Sequence, residues 1–414
     1  MTRWPRHMGV CVLMATTSMV TAQTPDEGPV LQWHGFATLG AEHSDTNFDG
    51  RFARDASQVP GAQGTQLRPD SRVGIQANWV LTPQVELVAQ AVLKDRPHTA
   101  KSGDILEWAF ASVRPSPDVN LRVGRMGMDL FLISDHRNVG YAYTPARPPV
   151  DFYGLLSVNP LDGIDVTRSW QTDDASWKLK GFTGRSSFDV DRRRGQFSNV
   201  SGVVLSRESG GLTVRGTLAR GRLNLAAIPG YDLARNGLDQ LSKLPFQPVA
   251  QQARDLLADF DLARIRARYT ALGVSYDHQG WVLAAEWMRT QASSSIVQGQ
   301  AAYVTVGHRW GSVLPYVGLS RSRSGTREPR STPAWGQAQW LGETVTGLFN
   351  SARIDQRTQT VGVRWDFANQ ASLKFQHDVV TVVSGHRSVA RPFHRGACPS
   401  DLRDPRVCVL RVQS

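Results

Sequence analysis

Between Arg72 and Lys94 the chain alternates strictly in polarity, and no other feature restricts its fold as tightly. Odd positions carry Val73, Ile75, Ala77, Trp79 and Leu81, then Val85, Leu87, Ala89, Ala91 and Leu93. Even positions carry Arg72, Gly74, Gln76 and Asn78, then Glu86, Gln90 and Lys94, and Pro83 separates the two runs as a turn residue. A period of two belongs to strands with one apolar and one polar face, not to helices. About fifteen segments repeat the pattern: near 31–42, 71–81, 84–94, 104–114, 119–126, 163–171, 175–184, 200–207, 211–219, 269–277, 281–290, 300–310, 313–321, 357–367 and 371–381. Their lengths cluster near the roughly 9–11 residues that cross a bilayer as a tilted strand. Short connections, such as His278-Gln279-Gly280 and Gly311-Ser312, alternate with long ones at 43–70, 127–162, 220–262 and 322–356. Short turns on one side and long loops on the other describe a transmembrane barrel. Tryptophans near strand ends (Trp33, Trp79, Trp108, Trp170, Trp177, Trp281, Trp287, Trp310, Trp365) fit the aromatic girdles of such a barrel better than a soluble sandwich core.

Composition agrees. Across 414 residues, 41% are hydrophobic and 20% charged, and mean hydropathy is −0.31. After residue 22 no run of 18 apolar residues occurs, which excludes a helical membrane protein. Averaging lipid-facing and water-facing positions accounts for negative hydropathy in a membrane barrel. Residues 1–22 read as a signal peptide: basic Arg3 and Arg6, an apolar Gly9 to Ala15, and a small-residue site at Val20-Thr21-Ala22. Without Cys11, only Cys398 and Cys408 remain, so no disulfide framework supports the fold. The net charge of +11 suggests an anion preference, arginine suiting planar carboxylate or phosphate. The arginines are spread over many strands rather than gathered into one patch, which argues against nucleic acid.

Helical spacing is confined to 249–268 (Val249, Ala253, Leu256, Leu257, Phe260, Ile265), read as a loop helix over the barrel mouth. Asp45 to Gly50 matches half of a calcium loop, but its twelfth position is Ala56 rather than the required Glu. No zinc, nucleotide or serine-hydrolase motif occurs, so no metal, cofactor or catalytic residue is expected. Ser134, Asp135 and His136 are neighbours in sequence and point apart on extended chain.

The segment 119–170 resembles Gram-negative outer-membrane porins, through Val123-Gly124-Arg125, Ser134-Asp135, Asn138 to Tyr143, Arg147-Pro148-Pro149 with Tyr153-Gly154, and Asp162-Gly163-Ile164-Asp165. Ala271 to Asp277, Gly311 to Val317 and Arg364 to Phe367 extend the resemblance over most of 31–381. It implies a barrel of about sixteen strands, commonly a homotrimer in outer-membrane lipid and lipopolysaccharide, passing small hydrophilic solutes by diffusion. It also implies that 127–160 folds into the lumen as a constriction loop. Its charges Asp135, Arg137, Arg147 and Asp151 would then line the pore opposite Arg122, Arg125, Asp165 and Arg168. A β-barrel esterase or protease, or a substrate-specific channel, is the rival function. The expected division is a signal peptide at 1–22, the barrel at 23–384 and an atypical tail at 385–414. That tail lacks the aromatic-terminated last strand with which porins usually close.

Overall fold

The computed structural model describes residues 28–44, 64–95, 105–154, 160–190, 193–225, 230–325, 328–382 and 406–413. The signal peptide, the half calcium loop at 45–56 and Cys398 lie outside them. All strands are antiparallel and belong to one sheet. They are β1 (Val30–Ser44), β2 (Gly64–Gln66), β3 (Arg72–Thr82), β4 (Val85–Lys94), β5 (Leu106–Ser116), β6 (Val119–Met126), β7 (Leu161–Gln171), β8 (Ser176–Val190) and β9 (Arg193–Ser209). There follow β10 (Leu212–Asn224), β11 (Ile265–His278), β12 (Trp281–Ala292), β13 (Gly299–His308), β14 (Val313–Ser324), β15 (Asp355–Ala368), β16 (Ala371–Val382) and β17 (Arg406–Gln413). Strand β2 is a three-residue stub that lengthens the ladder of β1, leaving sixteen spanning strands.

All fifteen alternating segments are strands, and the sixteenth comes from the tail. Arg406–Gln413 pairs with β16 (Phe375 opposite Leu410) and with β1 (Leu39 opposite Val412), so the pairings run round to their start. The expectation that the whole tail stands apart is therefore corrected at residues 406–413. The physical reason is edge satisfaction: in lipid an unpaired strand edge leaves its N–H and C=O groups without partners, so β1 and β16 both need a neighbour. The turns on one rim are tight. Gly210-Gly211 (φ 56° and 83°) and Gln279-Gly280 (φ 51° and 81°) each take two positive φ values, the two-residue hairpin turn whose twist matches the strands.

Polarity now maps onto faces. Outward positions are apolar and open: Leu218 (55% exposed), Leu272 (58%), Val317 (59%) and Leu319 (59%). Trp33, Trp79, Trp281 and Trp365 also face outward, close to the short turns, and Trp170 stacks on Trp177 there at 6.0 Å between ring centroids. Trp287 stands on the outer face nearer the long loops, while Trp108 turns inward toward Gly127. Among the described residues no helix is long and apolar enough to cross a membrane. On the long-loop side, α2 (Tyr231–Ser242), α3 (Gln247–Asp259) and α4 (Gln339–Ser351) pack together around Leu238, Leu256, Phe260, Trp335 and Phe349. The helix expected over 249–268 thus ends at Asp259, because Ile265, Tyr269 and Ala271 already alternate inward as β11. Arg330 pairs with Asp259 and donates to Ser295 at 3.1 Å, fastening three long loops together.

Candidate functional site

Residues 127–154 leave β6 and fold inside the barrel. They build two short turns, Ser134–His136 and Gly140–Ala142, and a short helix α1 (Val150–Tyr153) begun by Pro148-Pro149. Proline cannot donate to a strand ladder and its fixed φ suits a helix start, so this pair leads into α1. Ser134 Oγ accepts from the backbone N–H of Leu130 (3.1 Å) and Phe131 (2.8 Å), which ties the first turn and occupies that hydroxyl. Phe131 and Phe152 pack edge-on against Tyr269 and Tyr303, with centroids 6.0 and 5.2 Å apart, so one flank of the loop adheres to β11–β13 through apolar contact.

Charge holds the other flanks. Arg147 is 2% exposed and pairs with Asp70 (Nη2 to Oδ2 2.6 Å, Nε to Oδ2 3.2 Å) and with Glu42 of β1. Lys374 of β16 donates to the carbonyls of Gly140 (2.9 Å), Tyr143 and Pro145 (3.4 Å). Arg364 of β15 donates to the carbonyl of Tyr141 (2.9 Å), and Arg72 of β3 to that of Arg137 (3.1 Å). A carbonyl neutralises nothing, but three of them solvate an ammonium that has left water. Asp151 accepts from Ser320 (2.7 Å) and Gln356 (2.5 Å) on β14 and β15, and burial pushes its carboxyl up. Across the lumen, Asp129 pairs with Lys180 (2.6 Å) and Arg215. Burial alone would raise its carboxyl, but these two cations hold it below the ordinary value. Glu286 accepts from Leu132 N (2.9 Å), from Tyr303 (2.8 Å) and from Tyr153.

The eight expected pore residues separate into four pairs. Arg122 and Asp165 face the lumen as a two-pronged pair (Nε to Oδ1 3.0 Å), with the guanidinium 5.2 Å from the Phe110 ring. Asp135 and Arg137 line a small cavity with Glu107, Trp108 and His136, and burial pushes His136 down. Arg147 and Asp151 are buried anchors rather than lining groups. Arg125 and Arg168 are corrections: they stand on the outer face. Arg125 pairs with Asp162 (2.8 Å) near the long-loop rim, and Arg168 with Asp118 (3.6 Å) beside a short turn. In a strand, residues three apart point to opposite faces, so Arg122 and Arg125 cannot both reach the lumen, nor can Asp165 and Arg168.

Sequence reasoning missed Asp129, Lys180, Arg215, Glu286, Arg364 and Lys374. Alternation marks the last five as inward. Lys374, set between Leu373 and Phe375 on β16, was the legible signal.

No protein-family profile matches this chain, and no curated protein matches it in sequence. Solved structures do. The trimer form of in-vitro folded OmpT from Vibrio cholerae superposes with a TM-score of 0.50 at 13% identity, covering 94% of this chain and 100% of that one. The outer membrane channel DcaP of Acinetobacter baumannii gives 0.51 at 11%, with 94% and 98% covered. An anion-selective porin from Comamonas acidovorans gives 0.50 at 9%, with 93% and 99% covered. Likeness at these identities is likeness of fold, and the fold is the sixteen-stranded barrel of outer-membrane porins with its loop folded inward.

Proposed function

We propose that the chain is an outer-membrane porin through which small hydrophilic solutes and ions diffuse passively, assembled as a homotrimer. One observation carries this reading: a loop pinned inside a ring of strands whose outer face is an open apolar band. Side chains such as Val317 and Leu319 form an apolar surface far larger than a soluble monomer exposes, and a bilayer is the solvent that covers it. Buried ion pairs around 127–160 fix the constriction at one size, which suits sieving rather than gating. Small outward residues on β1 and β3–β5 (Gly35, Ala37, Ala77, Ala89, Ala109) make a flat face suited to packing against a second copy. The phosphorylated lipid of the outer leaflet is the expected neighbour of the remaining arc.

Anion preference is a finer matter. One structural neighbour is described as anion-selective, but the lumen-side cations here are engaged by carboxylates or by loop carbonyls. Arg122, Arg147, Lys180 and Arg215 are paired with carboxylates, and several other arginines face outward. Rings of unpaired charge are what bias a pore, so weak selectivity is expected. Purified protein in planar bilayers should give stable ohmic channels and a small reversal potential in a KCl gradient. Hydrolysis of ester or peptide substrates without conductance would overturn the reading in favour of a barrel enzyme.

A further inference from the structure

The inner wall of a water-filled barrel calls for polar side chains, yet one patch of it near the long loops is apolar. Phe197 and Val200 of β9, Ala219 and Gly221 of β10, and Ala267 and Tyr269 of β11 meet there on the inward faces of adjoining strands. The inward loop closes the patch from below with Met128 and Leu130, and Val297 closes it beside the long loops. Phe197 and Val297 also pack against the cluster of α2, α3 and α4, so the patch lies between the inward loop and the loop helices. These residues surround a hollow of about 80 Å³.

Small side chains make the hollow. Gly221 stands directly opposite Ala267 in the β10–β11 ladder, and Ala219 opposite Tyr269. A Cβ on Gly221 would come no nearer than 3.4 Å to Val200 Cγ2, an ordinary contact distance, so the wall has room for more than glycine supplies. The Tyr269 hydroxyl is already donated to the Leu130 carbonyl (3.4 Å). A water needs about two to four polar partners, so such a recess holds water poorly and favours an apolar group.

Size and charge together select the occupant. An apolar cavity of about 150 Å³ takes up a benzene ring, so a hollow about half as large fits a straight alkyl end of about three to four carbons. Asp129 lies between Met128 and Leu130 and is shared by Lys180 (2.6 Å) and Arg215, so two cations meet one carboxylate at the foot of the hollow. Both cations keep some surface, 13% for Lys180 and 11% for Arg215, and among the described residues no second carboxylate pairs with either. Glu286, the next acid along this wall, accepts from Leu132, Tyr153 and Tyr303 instead. The excess positive charge is complementary to an anionic head.

We propose that this hollow binds short straight-chain carboxylates of about four to five carbons, the alkyl end among Val200, Gly221 and Ala267 and the carboxylate toward Lys180 and Arg215. The proposal rests on the channel reading, because the hollow belongs to the inner wall, but binding is measured without current.

After residue 22 the chain holds three methionines, Met126, Met128 and Met288, so methyl labelling with carbon-13 places one of three signals on the hollow. The full chain, purified in detergent, is titrated with acetate, propanoate, butanoate, pentanoate and heptanoate while the Met128 methyl shift is followed. Affinity should rise about 3.7-fold per methylene, about fiftyfold from acetate to pentanoate, and then gain less than about twofold at heptanoate because the hollow is full. Butylammonium carries the same alkyl end with the opposite charge and should bind at least about tenfold more weakly than pentanoate. Ala267→Leu fills the hollow and should reduce pentanoate to the level of acetate while keeping the conductance of wild type. Ala219→Leu fills it from β10 and serves if the first variant does not assemble. A steady gain through heptanoate, or unchanged pentanoate binding in an assembled leucine variant, overturns the hollow as the site. Equal binding of butylammonium overturns the carboxylate assignment. Conducting channels with no dependence on chain length would sink this site and leave the channel, whereas saturable, length-dependent binding by a protein that does not conduct would do the reverse.

Discussion

Replacing Arg147 with methionine isolates the strongest fixing point of the inward loop. The guanidinium lies between Asp70 and Glu42, which are 1% and 6% exposed, and makes contacts of 2.6 and 3.2 Å to Asp70 alone. Methionine fills much of the same space, so the lost volume is small. What remains is two buried carboxylates that have lost the guanidinium between them. Removing one partner of a buried pair costs about 3–5 kcal/mol, because the residual charge is stranded. The exposed Arg168–Asp118 pair at 3.6 Å gives the contrast, being worth under about 1 kcal/mol. Lys374 and Asp151 still hold the loop on the β14–β16 side, so the variant should keep its barrel while its loop loosens. Urea unfolding in micelles, followed by the mobility of unheated protein on SDS gels, should show the loss, and single-channel records should show larger open-state noise. Adding Glu42→Gln and Asp70→Asn to Arg147→Met should recover much of the stability, since neutral amides are cheaper to bury than carboxylates. If Arg147→Met unfolds within about 1 kcal/mol of wild type and conducts quietly, the anchor assignment is wrong.

Three further outcomes follow from the same geometry. Asp129→Asn frees Lys180 and Arg215 inside the lumen and should move the reversal potential toward anion selectivity; no movement would mean that the freed cations do not face the ion path. Arg125→Ala and Arg168→Ala should leave conductance and selectivity unchanged and cost less than about 1 kcal/mol each, a result that a change in conductance would contradict. Deleting 406–414 removes the strand between β16 and β1 and should abolish the heat-modifiable barrel band on gels, since two open edges cannot remain in lipid. A fully assembled deletion variant would show that β1 and β16 can pair directly.

Much of the barrel was legible because alternation is a local property. Each of the fifteen strands announces itself within ten or so residues, and its parity says which side chains face inward. Parity also contained a correction that position near a loop obscured: Arg125 is odd-spaced from Arg122, as Arg168 is from Asp165, so each pair divides between faces. The last strand was hidden for a different reason. Arg406–Gln413 is eight residues long and follows a proline- and cysteine-bearing stretch, and only its two partners, β16 and β1, identify it. The loop helices α2 and α4 escaped notice because their apolar faces answer to one another across separate loops rather than to a long periodic run.

Sequence by itself determined the strand content, the faces of those strands and the presence of one long interruption at 127–160. The tertiary structure alone decided which charges meet. Arg147 is 77 residues from Asp70 and 105 from Glu42, and Lys374 is 234 from the Gly140 carbonyl it solvates. The apolar hollow likewise exists only once β9–β11 lie side by side in register with the inward loop against them. Strand polarity is set by neighbours one and two residues away, whereas an ion pair depends on closing a ring of sixteen strands, and nothing local in the chain encodes that closure.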